Sequence, residues 1–318
     1  MNRLLSPAPP TVAFEIARHR VSAAVIASRD TALSVNAHAM ELLPAGAVTP
    51  SLNAGNIADP KAVASALSRV FEQMGARPKR VALAIPDSVA KVSLLRFEKV
   101  PQRARDLDEL VRWQVRKAAP FRIEDAQLSY MPSTKGADGS TEFVVVMARK
   151  DIIREYEAVC EEAGAQAGVV DLATFNVINA VLADPRAPSD DWLLVHVTQE
   201  DATMAILRGE SLVFFRNHTA DGEAGLADMV HQTAMYYEDR LSGTGFGRVV
   251  LAGGGSPAAQ TGQDADYLRR ALEQRLGTRV EPVDPRNAAT VMDRITAGGE
   301  LLDALAPLVG LMARHRAA

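Results

Sequence analysis

Arg105–Met131, RDLDELVRWQVRKAAPFRIEDAQLSYM, sets a helix, a hard stop and a strand in close succession. Asp106 followed three residues later by Glu109 is a capping-box start: the Asp side chain accepts from a first-turn N–H while the Glu reaches back. Leu107, Leu110, Val111 and Ala118 then share one face at helical spacing, with Asp108, Glu109, Arg112 and Arg116 on the other, and Pro120 ends the helix at or just before Ala119. Gln114 sits within the apolar face. It reads either as a half-buried amide bonded to nearby backbone or as a recognition residue. Trp113, to one side of that face, is either a core residue or an aromatic anchor. Beyond the Pro120-Phe121 turn and Ile123-Glu124-Asp125, a strand runs through Leu128-Ser129-Tyr130.

Outward from this stretch, the chain has the means to build a large core: 318 residues, 47% of them hydrophobic, enough for two domains or one two-lobed domain. The net charge of −4, with both signs interspersed, lacks the basic footprint of a nucleic-acid binder. A single cysteine, Cys160, excludes a disulfide framework and fits a reducing compartment. The opening residues, MNRLLSPAPPTVAF, are too short and too broken by proline for a secretory core, and no apolar run approaches the roughly 20 residues that cross a bilayer. A cytoplasmic chain is expected.

In chain order, Thr11–Ile16, Val21–Ser28 and Thr31–Val35 read as three strands, the first two joined by a tight Arg18-His19-Arg20 turn. Asp59-Pro60 opens a helix through Lys61 to Met74, stopped by Gly75, and RVALAIP at Arg80–Pro86 is a strand covered on both faces. Val89–Phe97 alternates as an edge strand. Phe143–Ala148 is a buried strand, Asp151 caps a helix to Ala163 that Gly164 terminates, and a further helix spans Asp171–Leu182. After the linker Ala183–Pro188 the opening pattern recurs as strands Trp192–Val197, Ala202–Leu207 and Ser211–Arg216. Leu226–Leu241 is a helix, Val249–Leu251 a strand, Gly253-Gly254-Gly255 a turn, Tyr267–Leu276 a helix, and Leu301–Met312 closes the chain. Two lobes that each open on a three-strand meander indicate a duplicated α/β fold. The boundaries are a first lobe at 11–87, an inserted subdomain at 88–164, a return helix and linker at 165–188, a second lobe at 189–298 and a C-terminal helix at 299–318 packing on the first lobe.

The helix ending in Pro120-Phe121, the Ile123-Glu124-Asp125 that follows, and the strand behind them resemble the PilM family of type IV pilus assembly proteins. The resemblance extends from Val12 to Arg314 and implies the two-lobed actin-like fold shared with the division protein FtsA. It implies a cytoplasmic scaffold of a type IV pilus or related secretion complex, held peripherally at the inner membrane by binding the N-terminal peptide of a PilN-like membrane protein. The partner groove would lie between the first lobe and the inserted subdomain, bordered by Trp113, Gln114 and Phe121. The family fold further implies ATP with magnesium, clamped by one β-turn per lobe. Here the first turn reads Ala13-Phe14-Glu15-Ile16-Ala17, with Ser22 where the family carries a lysine, and the second reads His196-Val197-Thr198, an imidazole for a carboxylate and a β-branched residue for a glycine. A longer carboxylate at Glu15, a Cβ at each turn and a missing cation all work against phosphate and metal. No metal ligand set is expected, His196 included. Gly253, Gly254, Gly255 and Ser256 match the family's adenosine-side turn, where bare backbone admits a purine. Hydrolysis is expected to be lost, and the resemblance leaves nucleotide binding open, with Glu15 and the triple glycine followed by Ser256 as its candidate residues. The alternative is an active actin-like ATPase or small-molecule kinase. The tail Leu305–Arg314 reads as core rather than as an amphipathic membrane anchor, because it is apolar on all sides and broken by Pro307 and Gly310.

Overall fold

The computed structural model describes residues 10–29, 32–186, 190–199, 201–219, 225–253, 265–292 and 298–314. The chain opens with an antiparallel meander, β1 (Val12–Ile16), β2 (Arg20–Arg29) and β3 (Ala32–Leu42). Helix α1 (Pro60–Gln73) starts where Asp59 accepts from the Ala62 N–H at 3.0 Å, with proline at the first helical position. Then come β4 (Arg80–Ile85), β5 (Ala90–Phe97), α2 (Ala104–Val115), β6 (Ala126–Lys135), β7 (Thr141–Arg149), α3 (Lys150–Glu162), β8 (Gln166–Leu172) and α4 (Ala173–Leu182). The second half runs β9 (Asp191–Val197), β10 (Asp201–Arg208), β11 (Ser211–Thr219), α5 (Leu226–Leu241), β12 (Arg248–Ala252), α6 (Ala265–Leu276), β13 (Val280–Pro282), β14 (Ala289–Val291) and α7 (Gly299–Ala313).

Three sheets result, ordered β14-β3-β2-β1-β4-β8, β11-β10-β9-β12-β13 and β5-β7-β6. In the first, alternation along the strands sorts side chains by size. Phe14, Ile16, Val81 and Leu83 face α1 and α3, against Leu67, Phe71, Ile152 and Tyr156. Ala13, Ala24, Ala82 and Ala84 face α7, against Leu305, Leu308 and Val309. The small residues on that face let the helix lie close. The helix is buried from Ala304 to Ala313, Pro307 included. At Gly310 a Cβ would stand 1.6 Å from the Asn176 carbonyl oxygen, so α7 crosses α4 backbone to backbone.

Several expectations change. Helix α2 begins at Ala104 with Arg103 at its N-cap and no side-chain cap bond. Asp106 is therefore inside the first turn, where it favours the positive end of the helix dipole without capping it. Helix α3 likewise has Arg149 at its N-cap with no side-chain cap bond, and Asp151 accepts from the Arg149 guanidinium and the Ile152 N–H instead. Gln114 and Ala118 are exposed, because α2 rests on a sheet of only three strands and seals a narrow seam, Val111 and Val115. Three strands were not foreseen, among them the short β13, which pairs in parallel with β12. β8 occupies the stretch given to the return helix and pairs in parallel with β4. β14, inside the 189–298 segment given to the second lobe, pairs with β3 of the first-lobe sheet.

Candidate functional site

Glu15, near the end of β1, is 6% exposed and accepts from Arg20 Nη2 and Ser22 Oγ, each at 3.4 Å. The carboxylate is thus spent on a guanidinium from the next strand. Both phosphate-turn positions are ordinary backbone. The Ala17 N–H closes its hairpin onto the Arg20 carbonyl at 2.9 Å, and the Thr198 N–H closes the other onto Asp201 at 2.8 Å. Among the described residues only Ser242 combines a side chain with positive φ, so neither turn holds the left-handed conformation that a glycine would serve.

Between the lobes lies a buried polar cluster built on Asp87, just past β4. Its carboxylate accepts from the Thr174 N–H at 3.1 Å, from the Thr174 hydroxyl, and from the Thr203 hydroxyl at 2.7 Å. Thr203 accepts in turn from Asn217 Nδ2 at 2.9 Å. Thr174 Oγ1 also lies 2.7 Å from His196 Nδ1. Because the threonine's one proton goes to Asp87, the imidazole donates from Nδ1. Asp201, beside them, accepts from Thr198 Oγ1 at 2.7 Å, and burial raises its pKa, with the Asp87 charge adding to the rise. Among the described residues, Glu15, Asp87 and Asp201 are each held by protein donors. Among the described residues no group of three His, Cys, Asp or Glu could hold a metal ion. The residues present do not fit a magnesium–nucleotide at the two turns.

Gly253 has φ +78°, its N–H donates to Asp303 of α7 at 2.9 Å, and a Cβ would meet the Val197 carbonyl oxygen at 1.9 Å. The close packing of β12 on β9 by itself requires the missing side chain. Gly254, Gly255 and Ser256 lie outside the described residues.

A groove of about 1170 Å³ lies between the inserted strands and the first lobe, with the β10–β11 turn of the second lobe along its border. Val144, Val146 and Ala148 of β7 line it, as do β6, β8, α3 and the Phe175–Ile178–Leu182 stripe of α4. Phe175 is tilted against Phe215 of β11, ring centroids 5.2 Å apart. The inserted block is tied to the second lobe by Ser133 Oγ to the Leu212 carbonyl at 2.9 Å and Ser211 Oγ to the Ser133 carbonyl at 3.2 Å. Asp171, also lining the groove, pairs with Arg314. Burial raises its pKa against the pull of that guanidinium.

Trp113, Gln114 and Phe121 are not in this groove. Phe143, Val145 and Met147 of β7 face α2, whereas their alternating neighbours face the groove, so α2 covers the opposite side of the sheet. Trp113 is 64% exposed there, Gln114 is exposed and Phe121 half-buried. Sequence reasoning missed Asp87 and β8. A lone Asp after a buried strand and the short run Gly168-Val169-Val170 were the available signals.

The sequence pattern of the type IV pilus assembly protein PilM family matches residues 14–240. The chain belongs to the PilM family. Among solved structures it is similar to the PilM-PilN type IV pilus biogenesis complex, with 20% identity, 97% of this chain and 99% of that chain covered, and a TM-score of 0.81. It also resembles a Bacteroides thetaiotaomicron protein with an actin-like ATPase fold (11% identity, 95% of each chain, TM-score 0.51). A third match is the ethanolamine utilization protein EutJ from Carboxydothermus hydrogenoformans (9% identity, 97% and 90% covered, TM-score 0.50). No curated protein sequence matches the chain. The fold of this PilM-family chain is therefore the two-lobed actin-like α/β fold. No helix among its described residues is long and apolar enough to cross a membrane.

Proposed function

We propose that this chain is an assembly scaffold of a type IV pilus or related secretion complex, holding the N-terminal peptide of a PilN-like membrane protein at the inner membrane. The observation that carries the reading is the groove: an apolar floor from β7 and α4, in a family whose solved relative is a complex with PilN. Its size suits a short extended segment rather than a folded domain. The chain lies at the membrane through that partner. Phe175, Ile178 and Leu182 replace Trp113, Gln114 and Phe121 as the residues assigned to partner contact.

A binding role also fits the cleft. Glu15 accepts from Arg20 and Ser22, and Asp87 from three donors, which supports a scaffold that binds rather than hydrolyses. The test is fluorescence anisotropy with a synthetic peptide of the cytoplasmic N-terminus of the cognate PilN-like protein. Saturable binding that weakens at least tenfold in Phe175→Ala, with the fold intact by circular dichroism, is the expected result. Absence of binding to the unmodified chain overturns the reading.

A further inference from the structure

The groove crosses the face of β7 and also runs along two strand edges. Strand β8 is the last in the order β14-β3-β2-β1-β4-β8, and β6 is the last in β5-β7-β6. A groove over a face is lined by every second residue, which is how β7 contributes Val144, Val146 and Ala148. β8 instead contributes an unbroken run from Ala167 to Leu172, and β6 one from Ser129 to Ser133. Consecutive residues of both parities mean that the backbone itself borders the space.

An edge strand carries unpaired N–H and C=O groups and is a template for another strand. The two edges differ in what they offer. β6 holds Pro132, which has no N–H to give. β8 pairs with β4 with a register shift at Val81/Ala82, so Gly168 is an extra residue in that ladder. Regular extended backbone follows it from Val169 to Leu172. We infer that the occupant of the groove adds as an extended strand to the free edge of β8 along Val169–Asp171, lengthening the first-lobe sheet by one strand. Side chains on one side of that added strand rest on Phe175, Ile178 and Leu182, and the backbone hydrogen bonds set its register. The inference rests on the peptide-binding reading above and names how that peptide is held.

The experiment uses the full chain, ¹⁵N-labelled, with the synthetic PilN-like N-terminal peptide and a set of the same peptide N-methylated at one backbone nitrogen at a time. Two results are expected together: at least one amide within Val169–Asp171 exchanges ten times more slowly or less when the peptide is bound, and N-methylation at alternate peptide positions weakens affinity at least tenfold. Binding of the parent peptide with unchanged exchange across 169–171, and equal affinity for every methylated form, overturns strand addition and leaves the peptide-binding reading standing. Failure of the parent peptide to bind overturns both.

Discussion

Gly253 shows how much a single residue can be asked to do. Its positive φ, its contact with the Val197 carbonyl and its N–H bond to Asp303 bring together the ends of β12, β9 and α7. Gly253→Ala has to strain the backbone and push a carbonyl aside, and costs about 2–4 kcal/mol of stability in urea unfolding. A cost below about 1 kcal/mol refutes that packing. His38 carries a pH dependence. Burial, and then the Arg20 guanidinium, lower its pKa from 6.5 to about 4. Between these values the unfolded chain takes up a proton that the folded chain refuses, so stability falls as pH drops from 6.5 through 4. The full effect is about 3 kcal/mol. Wild type should lose about 2–3 kcal/mol more than His38→Gln between pH 7 and pH 4. Asp171 and Asp201, raised by burial, act in the opposite sense but are common to both proteins. Parallel stability curves for the two remove His38 as the cause.

Among the elements, α2 is the one whose face decides a functional assignment. It buries Val111 and Val115 on the three-stranded sheet and leaves Trp113 in solvent on the side away from the groove. Trp113→Ala is expected to cost less than about 1 kcal/mol and to leave peptide affinity unchanged, measured by thermal melting and anisotropy on the same preparation. A loss near 3 kcal/mol would make it a core residue, and a weakened peptide would return it to the partner surface. Helix α4 has the opposite position. Thr174 at its start enters the buried cluster between the lobes, while its next residue, Phe175, lines the groove.

For the molecule as a whole, the Asp87 cluster is a buried polar tie between lobes, joining the end of β4, the start of α4 and strands β9, β10 and β11. Asp87→Ala strands the Thr174 N–H and two hydroxyls in a dry site, and costs about 2–4 kcal/mol. An unchanged urea midpoint would show that the tie is not formed in solution. At the first turn Glu15 is likewise taken by Arg20 and Ser22, and at the second turn His196 stands where the family carries a carboxylate. The chain is accordingly expected to turn over ATP no faster than buffer. Magnesium-dependent hydrolysis that disappears in Glu15→Ala contradicts this.

Local chemistry was enough to recognise the family and its fold. Asp59-Pro60 and the glycines at 75 and 164 mark where helices start and stop, and they do so through bonds within a few residues. The repeated meander and the inserted helix–proline–strand pattern are equally local, and carried the resemblance that the family match bears out. What the chain could not disclose on its own depends on partners far away in sequence. β8 and β14 are short and pattern-poor, and become strands only because β4 and β3 offer them edges. Gln114 read as a half-buried amide or a recognition residue because helical spacing gives a face without saying how wide a surface it meets. Asp87 is tied to Thr203 across 116 residues, so nothing near it announces its role. The face of β7 that became the groove was likewise decided by which side α2 covered, since alternation makes two faces and only packing chooses between them.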